Sequence, residues 1–399
     1  IDIVIGRRVL YGETILNGIE LTDSIKILNN NSFFEHDIDT IIIPNNITEI
    51  GDWSFFRSQL TNITIPCSVT KIGFAAFKEC TLMKNIIILN SVTEICDYAF
   101  SECLSLNNIA IPNSVTKIGR YAFNECISFT YITIPNSVTK IGEYAFSNCK
   151  SLINIIIPNS VIEIGCYAFY KCSSLTDITI PNNVMQICVK TFCCCSSLTN
   201  ITIPNSVMEI NEDGFLNCSS LANITFPNSI TKIGNNAFRG CSSLKNIEIP
   251  NSVTKIGKYA FSGCRSLVNV MILEGVTKIG ENAFSDCCSL ADITIPNGVT
   301  EIGESVFSYC SSLTNITIPN GVTKIEERGF ISCRSLISII IPNSVTEIGN
   351  SAFSYCSSLT NITIPNSVIK IDGHAFSKCS SLTNINIPNS VTSIGTCAF

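Results

Sequence analysis

Apolar residues return at fixed places along this chain. From Leu198 to Val207 the sequence reads Leu-Thr-Asn-Ile-Thr-Ile-Pro-Asn-Ser-Val, with apolar and polar positions alternating at period two. A β-branched, alternating run of this length predicts a short strand. Pro204 lacks an N–H and marks where that strand ends. The Asn-Ser that follows is turn chemistry. Val-Thr-Lys-Ile-Gly then alternates again and predicts a second short strand. The Ala-Phe-Ser-x-Cys segment after it is too short for more than about one helical turn.

The whole cycle repeats. From Pro66 to Pro388 the prolines recur every 23 residues, with Leu89 and Leu273 in the two vacant slots and Pro44 lying 22 residues upstream. Isoleucine stands six residues after each slot and phenylalanine eleven after, in all sixteen copies. Cysteine stands fourteen after in fourteen copies, from Cys80 to Cys379, with Ser58 there in the first. Leu16, Ile19, Leu21, Ile25, Leu28 and Phe33 fit a degenerate earlier copy. Residues 1–37 therefore read as an atypical first turn with a leader, and 38–399 as the repeat array. No copy can bury its apolar side alone, so successive copies must stack into a solenoid. The chain starts at Ile1 and stops at Phe399 within a repeat, which reads as a fragment.

The motif Leu-x-x-Ile-x-Ile-Pro-x-x-Val-x-x-Ile-x-x-x-Ala-Phe-x-x-Cys resembles the short leucine-rich repeat of the BspA-like family. The resemblance covers residues 38–399, with a weak extension to about 16. It implies a right-handed curved solenoid with a parallel sheet on its concave face and short convex strands or single helical turns. It also implies a surface or secreted protein that binds host or matrix proteins or glycans; a cytoplasmic interaction scaffold is the alternative.

Alternation assigns the faces. The Ile three before and the Ile one before the proline slot point inward with Leu, Val, Ile, Ala, Phe and Cys. The residues four and two before it point outward. The first outward column is Asn in eleven copies; the second is mostly Thr. This nearly neutral amide and hydroxyl lattice, typified by Asn200, Thr202, Asn223 and Thr225, is broken by Tyr131, Asp177, Glu248 and Asp292. Those eight residues are the candidate ligand-binding positions. A regular Thr column also admits an ice- or water-ordering surface, although Ile interrupts it.

Composition narrows the chemistry. Charged residues are 14% of the chain and the net charge is −6, which disfavours binding to nucleic acid. Two histidines leave little for imidazole catalysis or a histidine metal site. No nucleophile–base–orienter set, phosphate-cradling glycine loop or paired carboxylates stand out, so no catalytic residue and no cofactor are expected. The 22 cysteines are read as a reduced core ladder with a few off-register members. The cluster Cys188, Cys193, Cys194 and Cys195 lacks the paired C-x₂-C spacing of a zinc knuckle, so no metal is expected there. Five residues after the proline slot Lys and Glu alternate, which predicts cross-strand pairing on a solvated face. Tyr98, Tyr121, Tyr144 and Tyr167 share one slot with Trp53 and read as partly buried cover over the turns. Asn-Ile-Thr at 62, 200, 223, 315 and 361 matches the glycosylation acceptor pattern, as do Asn30, Asn46 and Asn217, with low occupancy expected on folded strands. No apolar run approaches the roughly 18 residues of a spanning helix.

Overall fold

A computed structural model describes residues 19–399, which fall into two compact units divided after Leu198. Each unit is a parallel β-solenoid, with two strands in every rung but the last, which has one, and no helix among the described residues. The longer strands are those before the proline slot, such as Asn62–Ile65, Asn85–Ile88 and Asn108–Ala110 in the first unit. In the second they include Asn200–Thr202, Asn246–Ile249 and Asn269–Ile272. Each pairs in parallel with its repeat-mate, for example Asn246 with Asn269 and Ile249 with Ile272. The shorter strands are the Lys-Ile or Glu-Ile pairs, and in the first unit their ladder runs unbroken from Ile27–Leu28 to Glu163–Ile164.

The core follows the alternation. Ile63 and Ile65 are buried while Asn62 and Thr64 are exposed. Leu106, Val115, Ile118, Ala122, Phe123 and Cys126 are all at 0% exposure. Each fully buried aliphatic or aromatic side chain contributes about 1.5–3 kcal/mol, against which chain entropy is set. The phenylalanines stack ring on ring, with centroids 5.5 Å apart for Phe77–Phe100 and 5.3 Å for Phe238–Phe261.

The degenerate first copy joins both ladders. Ile19–Glu20 pairs with Ile41–Ile42, Ile27–Leu28 pairs with Glu49–Ile50, and Phe33 stacks on Phe55 at 5.1 Å. Leu16 lies outside the described residues. The 22-residue first period is absorbed where Leu60 follows Ser58 by two residues; in the next rung Met83 follows Cys80 by three. Glu49 and Ile50 still meet Lys71 and Ile72 in register.

The segment around the phenylalanine is neither a strand nor a helical turn. Two residues there, four apart, have a positive φ: Tyr98 at 60° and Glu102 at 62°, Tyr121 at 55° and Glu125 at 58°. In the turns these two residues close, alternate N–H groups face the next rung. Tyr98, Phe100 and Glu102 donate to the carbonyls of Arg120, Ala122 and Asn124 at 2.8, 2.8 and 2.7 Å. The residues between them close short turns, as Ser101 N–H does on Tyr98 O at 3.1 Å. Each rung is thus tied to the next by a third set of backbone bonds, all donated in one direction. The in-phase glycines that close the second strand allow a close approach between rungs. A Cβ at Gly119 would lie 2.6 Å from the backbone of the preceding rung.

Candidate functional site

The two outward columns of the longer ladder stand clear of the core. In parts they form the expected lattice: Asn85 Nδ2 donates to Asn62 Oδ1 at 2.9 Å, Asn269 Nδ2 to Asn246 Oδ1 at 3.1 Å, and Ser338 Oγ to Asn315 Oδ1 at 2.9 Å. Asn200 and Thr202 lie beside Asn223 and Thr225 in the second unit. Tyr131 is 45% exposed, and its hydroxyl oxygen accepts from Thr133 Oγ1 at 3.3 Å. Asn154 separates Tyr131 from Asp177. In the second unit Glu248 lies beside Met271, and Asp292 beside Asn269. The first pair and the second therefore belong to different units.

The polar-lattice reading missed an apolar trough. In the first unit Ile42 is 73% exposed and Ile87 54%, in the same outward column as Thr64 and Ala110. With Pro44, Pro66 and the half-exposed Leu89 they line a groove of about 920 Å³. Met271 and Ile340 are likewise exposed in the second unit. The signal in the sequence was the replacement of Thr by Ile, Ala or Met in an outward column.

The other columns resolve into structural roles. Ring centroids in the tyrosine stripe lie 4.6 Å apart for Tyr98–Tyr121, 4.4 Å for Tyr121–Tyr144 and 4.3 Å for Tyr144–Tyr167, nearly parallel. Their faces are spent on one another, and Lys190 sits over Tyr167 at 5.3 Å. A sugar would need a free ring face, so only ring edges and hydroxyls remain on offer. Burial, with the neighbouring phenols, raises the pKa of Tyr121 and Tyr144.

The cysteine column is built on carbonyls. Cys103, Cys126 and Cys149 each aim Sγ at the carbonyl oxygen of the phenylalanine one rung back, Phe77, Phe100 and Phe123, at 3.1 Å. Burial pushes these thiols well above their ordinary pKa, and Cys241 up to about 12. Such thiols are neutral and unreactive. In the off-register cluster Cys193 and Cys194 lie with their sulfurs 3.6 Å apart, while Cys195 belongs to the column and bonds Phe169 O at 3.2 Å. No group of three or more metal-ligating side chains forms among the described residues. The Asn46 acceptor pattern is closed, because its Nδ2 donates to the carbonyls of Asp23 and Ile25. No described helix is long and apolar enough to cross a membrane.

On the shorter ladder the outward charges pair across rungs as the sequence predicts. Lys71 meets Glu49 at 2.7 Å, Lys117 meets Glu94 at 2.6 Å, and Lys140 meets Glu163 at 2.8 Å. These exposed pairs contribute about 0–1 kcal/mol each.

Comparison with known proteins bears on the same columns. The sequence model of the BspA type leucine rich repeat region matches residues 3–130, 116–245, 163–290, 231–360 and 277–399. A leucine-rich repeat protein from Bacteroides ovatus, known from a crystal structure, is 28% identical over 97% of both chains, with a TM-score of 0.74. A leucine rich cell surface protein from Faecalibacterium prausnitzii is 32% identical over 79% of this chain and 82% of that one, with a TM-score of 0.43. No curated protein matches the sequence.

Proposed function

Given that the chain belongs to the BspA-type leucine-rich repeat family, we propose that it is a non-enzymatic recognition scaffold at a cell surface, binding a protein partner across its longer strands. Leucine-rich repeat scaffolds of this kind generally bind proteins and carry no chemistry of their own. The observation that carries the reading is the outward face of the longer ladder. The core holds it rigid, yet nothing in the core requires Ile42 or Ile87 to be apolar and exposed. Exposed aliphatics beside polar Asn columns suit a protein surface. They interrupt the Thr column, which counts against an ice-ordering face. The self-stacked tyrosines count against glycan stacking. The buried, carbonyl-bonded thiols are accounted for by packing, so they give the intracellular alternative no support.

The irregular positions are where register is chosen. Interface energy concentrates in a few residues, often aromatic, so Tyr131 comes first and Asp177, Glu248 and Asp292 follow. The test takes a partner found by screening matrix proteins and glycans. One variant carries Tyr131→Ala, Asp177→Asn, Glu248→Gln and Asp292→Asn; the other changes Tyr98, Tyr121, Tyr144 and Tyr167 to Ser. The first is expected to weaken binding at least tenfold with the fold intact. Loss only in the second would move the site to the tyrosine stripe.

A further inference from the structure

The charge column of the shorter ladder breaks its alternation most sharply in the second unit. Lys232, Lys255 and Lys278 occupy three successive rungs in direct parallel register. The outer two are neutralised from beyond the stretch, Lys232 by Glu209 at 3.1 Å and Lys278 by Glu301. Lys258, three residues after Lys255, is bound to Glu281 at 3.0 Å. Lys255 itself is exposed, has a lysine on either side, and among the described residues has no carboxylate within 4.0 Å. Parallel neighbours stand about 4.8 Å apart, and like charges directly opposite each other destabilise a sheet. The slot does not need lysine, since glutamate fills it at 209, 301 and 347. A glutamate at 255 would have gained a lysine partner on both sides.

We infer that Lys255, flanked by Lys232 and Lys278, is a docking point for a carboxylate of a protein partner, either one acidic side chain or two adjacent ones. Ammonium groups are compact, mobile donors, so neighbours on adjacent rungs can share one carboxylate. The length of the patch sets the kind of anion. Glu209 and Glu301 close it at both ends, leaving about 10 Å of uniform sign, two strand spacings. A nucleic acid or sulfated glycan running along the ladder would meet those carboxylates; a short acidic side-chain cluster would not. This surface is separate from the outward columns of the longer strands.

Two measurements on the full chain test the assignment. In urea denaturation Lys255→Glu should raise the midpoint above wild type, with Lys255→Gln between them. No rise would overturn the argument that the lysines repel. In fluorescence anisotropy at low ionic strength, a labelled Gly-Glu-Glu-Gly peptide should bind saturably and release as salt is added. Lys255→Glu should weaken it at least tenfold, while Lys245→Glu, an equal charge change just before the longer strand Asn246–Ile249, should stay within twofold. Absence of saturable binding, or equal loss in both variants, would overturn the site. A sulfated oligosaccharide binding more tightly than the peptide, with the same dependence on Lys255, would overturn the carboxylate assignment.

Discussion

Cys126 shows why a thiol recurs where an aliphatic would pack equally well. Its sulfur fills a small core space, and its weak S–H donor reaches Phe100 O at 3.1 Å, a carbonyl that Cys103 N–H meets at 3.4 Å. The preference for cysteine was visible in the sequence only as a small-hydrophobe slot. The carbonyl it serves belongs to the preceding rung, and no local pattern reports that contact. Cys126→Ala is expected to cost about 1–2 kcal/mol by urea denaturation, from lost volume and a lost weak bond. The thiols also give stability a pH dependence. Burial raises the pKa of Cys103, Cys126, Cys149 and Cys172 in the folded chain, whereas unfolded thiols ionise near about pH 8.5. Above that pH the unfolded chain holds fewer protons than the folded one, so stability falls as pH rises. Each thiol steepens the fall by about 1.4 kcal/mol per pH unit. Denaturation midpoints followed from about pH 7.5 to 10 should drop, and less steeply in Cys126→Ala. A flat profile would contradict the burial.

At the scale of the element, both strands were legible and the segment after them was not. Period-two alternation fixed which isoleucines face inward, and burial follows it from Ile63 to Ile339. The phenylalanine segment turns on two left-handed residues four apart, which hydropathy does not record. Its trace lay in residue types that tolerate a positive φ, among them Asn236, Asn282, Asp213 and Gly240. Other left-handed positions carry residues with no such tolerance, Ser305 with φ 54° among them. Ser305→Gly is expected to stabilise the second unit by up to about 1 kcal/mol, and Ser305→Val to destabilise it by about 1–2 kcal/mol, since a Cβ disfavours this conformation and branching worsens it. Opposite shifts of the urea midpoint would confirm the sign; parallel shifts would count against the turn geometry. The candidate site was legible in half. Tyr131, Asp177, Glu248 and Asp292 do project outward, but the isoleucines that interrupt the Thr column read only as interruptions, because which of them share a groove with Pro44, Pro66 and Leu89 depends on how the rungs stack.

Within each unit, the register of 23 residues is the quantity the molecule conserves. Removing one complete period, Pro250 to Ile272, rejoins Ile249 to Leu273 with every column in phase. That deletion should fold with the circular dichroism of the parent. Removing Ile247 alone moves the end of its strand to the opposite face and should lower the unfolding midpoint more than loss of the whole rung. The reverse order would show that the columns do not govern stability. The cysteine column carries a further consequence. One thiol is sealed into nearly every rung at a known place, and each can be alkylated only when its own rung opens. The column is a ruler with one reactive mark per rung: mass-resolved labelling rates, read from Cys103 to Cys379, would plot the opening of the stack position by position. Half-buried Cys379, its pKa pushed only to about 11, should label ahead of fully buried Cys241 and Cys264.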